Sequence, residues 1–95
     1  MTVPEKTWTR ETVRSQLHAL LGEHVSHANG GEISDTSHLV ADLGVDSLGV
    51  MEIVAAVEDS FKLTIPDDAL RAVETVADVA VAIESRLERE GRLAR

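Results

Sequence analysis

The side chain best suited to covalent chemistry is a serine. Ser47 lies between Asp46 and Leu48, where a turn-rich stretch gives way to a helical pattern. A hydroxyl in the first turn of a helix is exposed and rigidly aimed. A negative group attached there would sit at the positive end of the helix, where it is favoured. The four histidines, His18, His24, His27 and His38, form no recognisable base arrangement with this serine. A hydrolytic nucleophile elbow needs Gly-x-Ser-x-Gly on a strand-to-helix turn. Gly49 supplies the second glycine, but Val45 stands in place of the first and no strand pattern precedes it. His24 and His27, with Glu23, have the spacing of a metal pair on one helix face. Their place near a helix end favours exposed, unliganded side chains instead. There is no cysteine, so the chain itself offers no thiolate nucleophile, thiolate metal ligand or disulfide.

The elements that must position Ser47 are helical. Thr9 can cap a first helix with Glu11 near its positive end. Val13, Leu17, Leu20 and Leu21 recur at helical spacing, and Asn29, Gly30 and Gly31 end the pattern. Residues 28–46 form a long connection in which Ile33, Leu39, Val40 and Leu43 are expected to pack down over a core. Asp46 is a good N-cap for the clearest helix, residues 47–61. Its Val50, Ile53, Val54, Val57 and Phe61 form one stripe for burial. Leu48, Met51, Glu52, Ala55 and Asp59 share another face of mixed composition, suited to a transient interface or to a wider core stripe. Gly49 costs that helix roughly 0.5–1 kcal/mol relative to alanine.

After a short connector at residues 62–65, Pro66 can open a third, short helix over 67–73, with Leu70 and Val73 inward. Thr75 and Asp78 have capping-box spacing. They start a last helix with Val76, Val79, Ala80, Ile83 and Leu87 on one face. Residues 84–95 become strongly charged and are expected to fray past Gly91. The sum is an all-α fold, a small helical bundle of three main helices plus one short helix.

With 95 residues there is room for one core. Trp8 and Phe61 are the only aromatic residues, which further favours helices. The net charge of −8 argues against nucleic acid or an anionic membrane as partner. Nine acids and two bases fall between residues 42 and 78. That acidic stretch is either a solvated surface or a docking face for basic partners. No membrane-length apolar run and no signal-peptide pattern is present, and the lack of cysteine fits a cytoplasmic protein.

The run Leu43-Gly44-Val45-Asp46-Ser47-Leu48 resembles the attachment motif of the acyl carrier protein family, Asp-Ser-Leu at the start of the second helix. Leu39 before it fits, as do Met51-Glu52-Ile53-Val54, Glu58, Phe61, Ile65-Pro66-Asp67-Asp68 and Thr75-Val76 after it. The likeness runs from about Leu39 to Ile83. It implies the family's four-helix bundle, with a carrier domain over residues 9–88 between a flexible tail at 1–8 and a charged tail at 89–95.

The resemblance also implies a carrier and not an enzyme. A phosphopantetheinyl transferase would place 4′-phosphopantetheine on Ser47, with Asp46 helping to engage the transferase. Acyl groups would ride on the arm as thioesters, in fatty acid or polyketide and other natural-product synthesis. Acyl-loading, ketosynthase-type and tailoring enzymes with basic patches would read Leu48, Met51, Glu52, Ala55, Asp59 and Ile65 on a monomer. Ala55, Gly49 and the third helix's Leu70, Arg71 and Ala72 depart from the common fatty-acid pattern, which bears on partner identity. A peptidyl or aryl carrier shares the motif, and an unmodified structural helical protein is the reading of another class.

Overall fold

Thr9 begins the first helix as its spacing predicts. Its carbonyl accepts the amide of Val13 at 2.9 Å and its hydroxyl accepts the amide of Thr12 at 3.1 Å. The structure, a computed structural model, describes residues 8–24 and 33–94. In these the chain forms α1 (Arg10–His24), α2 (Ser47–Phe61), α3 (Asp67–Arg71) and α4 (Val76–Arg89). Among the described residues there is no strand, only two isolated bridges, Trp8 with Leu93 and His38 with Thr75.

The apolar stripes meet where periodicity places them. Val13, Leu17 and Leu21 of α1, Val57 and Phe61 of α2, and Val76, Ala80, Ile83 and Leu87 of α4 are all fully buried. The first helix packs against both α2 and α4. The α4 start carries the complete capping box: the Thr75 hydroxyl accepts the Asp78 amide, and the Asp78 carboxylate accepts the Thr75 amide. Those two bonds satisfy donors that a helix start otherwise leaves open.

The long connection is not a free loop, and two non-local tethers explain why. The Leu39 amide donates to the Glu74 carbonyl at 2.9 Å, and the Val76 amide donates to the Ser37 carbonyl at 3.0 Å. The strap is thereby stitched to the start of α4. Its anchor is Asp35, whose carboxylate accepts Arg14 at 2.9 Å and lies 3.1 Å from the His18 ring, both on α1. The His18 hydrogen bond, with Arg14 beside it, holds the Asp35 carboxyl below its ordinary range. Leu39 seals the core from above, but Val40, expected to pack, is 65% exposed. The turn that follows points it outward.

Three expectations at the chain ends and in the third helix are corrected. Trp8, read as part of a loose tail, packs on Phe61 with ring centroids 4.5 Å apart. Its amide donates to the Arg92 carbonyl. Residues 92–94, read as a charged tail, turn back after Gly91, whose φ of 71° makes the reversal, and lie beside Trp8. Glu84, where the strongly charged end begins, is 7% exposed and pairs with Arg14 across the α1–α4 seam at 3.4 Å. The third helix stops at Arg71 and not at 73, because the amides of Ala72 and Val73 tighten onto the carbonyls three residues back.

Candidate functional site

The chain reaches Ser47 through a tight turn. The amides of Asp42 and Leu43 both donate to the His38 carbonyl, and the Val45 amide donates to the Leu39 carbonyl. Gly44 takes φ 69° there, a left-handed conformation that a side chain would strain. Val45 then turns inward and is buried, while Asp46 is extended at φ −88°, ψ −180°. The Asp46 carboxylate accepts the Gly49 amide at 2.7 Å, as an N-cap should.

Gly49 is explained by the same turn. A Cβ built on it would lie 2.8 Å from Val45 Cγ1 and 3.2 Å from Asp46 Oδ1. The residue that weakens the helix by propensity thus makes room for the buried valine and the cap. That close approach has no signature in the periodicity of the sequence.

Ser47 itself is exposed. The first intrahelical bond at this end is Val50 amide to Asp46 carbonyl, so the Ser47 and Leu48 amides precede the helical ladder. Among the described residues no base is hydrogen-bonded to the Ser47 hydroxyl. His18 is engaged with Asp35, while His38 and His24 are exposed. His27 of the suggested metal pair lies outside the described residues. Among those described, no group of three or more His, Asp or Glu is placed to hold a metal ion.

Along α2 the second face is open, so the wider-core-stripe alternative fails. Leu48 and Met51 are 68% and 57% exposed, and Glu52, Ala55 and Asp59 lie on the surface with them. Ile65 corrects an expectation: it is 5% exposed and belongs to the core, so its side chain offers nothing to a partner. Its amide instead donates to Glu58 Oε2 at 2.8 Å.

The acids divide in the same way. Asp46 and Glu58 accept backbone amides, as do Asp42 from His38 and Asp78 from Glu74 and Thr75. Those amides hold the Asp78 carboxyl below its ordinary range, Thr75 most strongly. Glu52, Asp59, Asp67 and Asp68 point their charge outward. The acidic stretch is therefore part scaffold and part surface.

Beside the start of α2 lies a cleft of about 220 Å³ lined by Leu39, Val40, Val50 and Val73, with His38 and Glu74. It opens between the strap, α2 and the α3–α4 connection.

The sequence model of the phosphopantetheine attachment site family matches residues 11–83, which span the first helix, the strap, Ser47 and most of α4. The chain belongs to the acyl carrier protein family. It is 33% identical to an acyl carrier protein of Prochlorococcus marinus over 82% of this chain and 96% of that protein. An acyl carrier protein of Sulfurovum sp. is 46% identical over 57% of this chain and 72% of its own length. One of Wolinella succinogenes is 42% identical over 62% and 78%.

The prosthetic group of this carrier family is 4′-phosphopantetheine, and the site's chemistry fits it. An exposed hydroxyl at a helix start offers the ester oxygen. First-turn amides and the positive helix end favour the phosphodiester's charge. The neighbouring cleft is lined mainly by apolar side chains, Leu39, Val40, Val50 and Val73.

Proposed function

We propose that Ser47 is the residue that carries the arm, and that this protein presents acyl cargo to other enzymes without catalysing a reaction on it. The observation that supports this most is the placement of one exposed hydroxyl on the first turn of a capped helix, with no base bonded to it. Asp46 keeps the helix start rigid. On a phosphopantetheinyl transferase, whose own base would take the serine proton, the Ser47 oxygen would attack the pyrophosphate of coenzyme A, forming the phosphodiester as 3′,5′-ADP leaves. Once bound, the arm supplies a terminal thiol on which acyl groups travel as thioesters.

Leu48, Met51, Glu52, Ala55 and Asp59 supply the face that partners read: two apolar side chains among acids. It suits basic patches on a phosphopantetheinyl transferase and on acyl-loading, ketosynthase-type and tailoring enzymes. Exposed ion pairs contribute about 0–1 kcal/mol each, so such a face releases each partner in turn. No described helix is long and apolar enough to cross a membrane, and the reading places the protein in the cytoplasm.

Intact-protein mass spectrometry after incubation with coenzyme A and a broad-specificity transferase tests this. Wild type gains the mass of one phosphopantetheine and Ser47→Ala gains none. A folded wild type that gains nothing, or a Ser47→Ala variant that still gains the group, overturns the assignment.

A further inference from the structure

A second cleft lies on the other side of Val73, between α3 and α4, away from the α2 start. Its volume is about 380 Å³, within the range of small-molecule pockets. Its walls come from Ala69 and Ala72 on one side and Val81 and Ala82 on the other. Val81 is 52% exposed, one of few large apolar side chains left open. The α4 wall runs Asp78, Val81, Ala82, Ser85, Arg86, Arg89, a single helical stripe that ends in two arginines. The eight helical steps from Val81 to Arg89 span roughly 12 Å at the rise of a helix. An extended chain of roughly eight to ten carbons covers that distance.

The charges at the rim are distinct from those of the α2 face. Arg86 donates Nε to Glu90 at 3.1 Å. Glu90 is already held by Arg92 at 2.8 Å, and the Arg92 hydrogen bond is the main reason its carboxyl sits below the ordinary range. Among the described residues no carboxylate lies within ion-pair distance of Arg89. Asp78 has its carboxylate turned to the Glu74 and Thr75 amides. Asp68, exposed on α3, is the one lining acid not taken up in this way. Arg86 is thus shared with Glu90, and Arg89 is the rim guanidinium with no described carboxylate beside it, over an apolar floor.

We infer that this cleft binds an amphipathic monocarboxylate of medium chain length, its carboxylate at Arg89 and Arg86 and its chain along Val81, Ala82 and Ala72. The site is separate from Ser47 and does not depend on the arm. A free acid at this site would lie against Val73, the residue shared with the cleft beside α2.

The test uses the full chain as Ser47→Ala, so that the outcome is independent of the attachment assignment. Octanoate below its micelle concentration is titrated against ¹⁵N-labelled protein, with 1-octanol and octylammonium as uncharged and cationic probes. Octanoate is expected to give saturable shifts centred on Val81, Ala82 and Ser85, and to bind more tightly than either control. On that background Arg89→Gln raises the octanoate Kd about threefold and Asp68→Asn lowers it about twofold, the scale of single exposed charges. Both residues are exposed, so neither substitution endangers the fold. Shifts centred instead on Leu39 and Val50, equal binding of the three probes, or a Kd indifferent to both substitutions overturns the proposal.

Discussion

The two ends of α2 are built in opposite ways. At the C-terminal end everything is closed. Phe61 is fully buried under Trp8, and Lys62 turns left-handed at φ 56° while its amide bonds back to Glu58. The Arg92 guanidinium caps the helix by donating to the carbonyls of Phe61 and Lys62. Orphan carbonyls at a helix end attract a cation in this way. At the N-terminal end the cap is local, Asp46 to Gly49, and beyond it Ser47, Leu48 and Met51 stand in solvent. One end supplies rigidity and the other supplies access. The proposed attachment at Ser47 calls for both in one helix, because an attachment point must be aimed without being covered.

Perturbing the closed end gives the largest expected effect. Phe61→Ala removes a fully buried ring and its contact with Trp8, and should cost about 3–4 kcal/mol in urea unfolding. If the variant instead loses under about 1 kcal/mol, the closed end is not what anchors α2. Next, Arg92→Ala leaves two helix-end carbonyls without a charged donor and should cost about 2 kcal/mol. In both variants the folded fraction should still accept phosphopantetheine at a near-normal rate, since the open end is untouched.

Smaller effects test the open end. Gly49→Ala sets helix propensity, a gain of roughly 0.5–1 kcal/mol, against overpacking at Val45, a loss of about 1–3 kcal/mol. The net expectation is destabilisation by about 1 kcal/mol, with slower modification at Ser47, because either Val45 or the Asp46 cap must shift. Thermal melts and modification kinetics read the two separately. A more stable Gly49→Ala variant would show that the turn yields without strain.

The smallest effect concerns acid. The depressed Asp78 carboxyl adds stability that is fully present above its unfolded pKa, near 3.8. That stability is lost as pH falls through the lower folded value. Wild type should therefore lose stability below about pH 4. Asp78→Asn should start less stable at pH 7 and show a shallower acid limb in melts taken between pH 2.5 and 7.

Much of this organisation is local and so was readable from the chain. Helix spacing places Val57, Phe61, Ile83 and Leu87 in the core. Asp46 and the Thr75–Asp78 pair act within three residues of themselves, as caps do. What escaped were contacts between distant segments. Ile65 reads as one more residue near a docking helix, yet it faces the core while its backbone is held by Glu58. Glu84 reads as a charged helix end, but α1 brings arginines to it.

The sequence by itself determined the all-α class, the bounds of α2 and the motif around Ser47, because these follow from periods and caps of three to four residues. Only the tertiary structure decided that the strap is sewn to α4 by residues 37–39 and 74–76, and that Trp8 meets residues 92–94. It alone decided that Gly49 is required by Val45 and that Val81 lines an open cleft between arginines and alanines. Each of these depends on two segments far apart in the chain arriving at one place. Composition and period describe neighbours along a helix, and they carry no record of which surfaces meet once the helices pack.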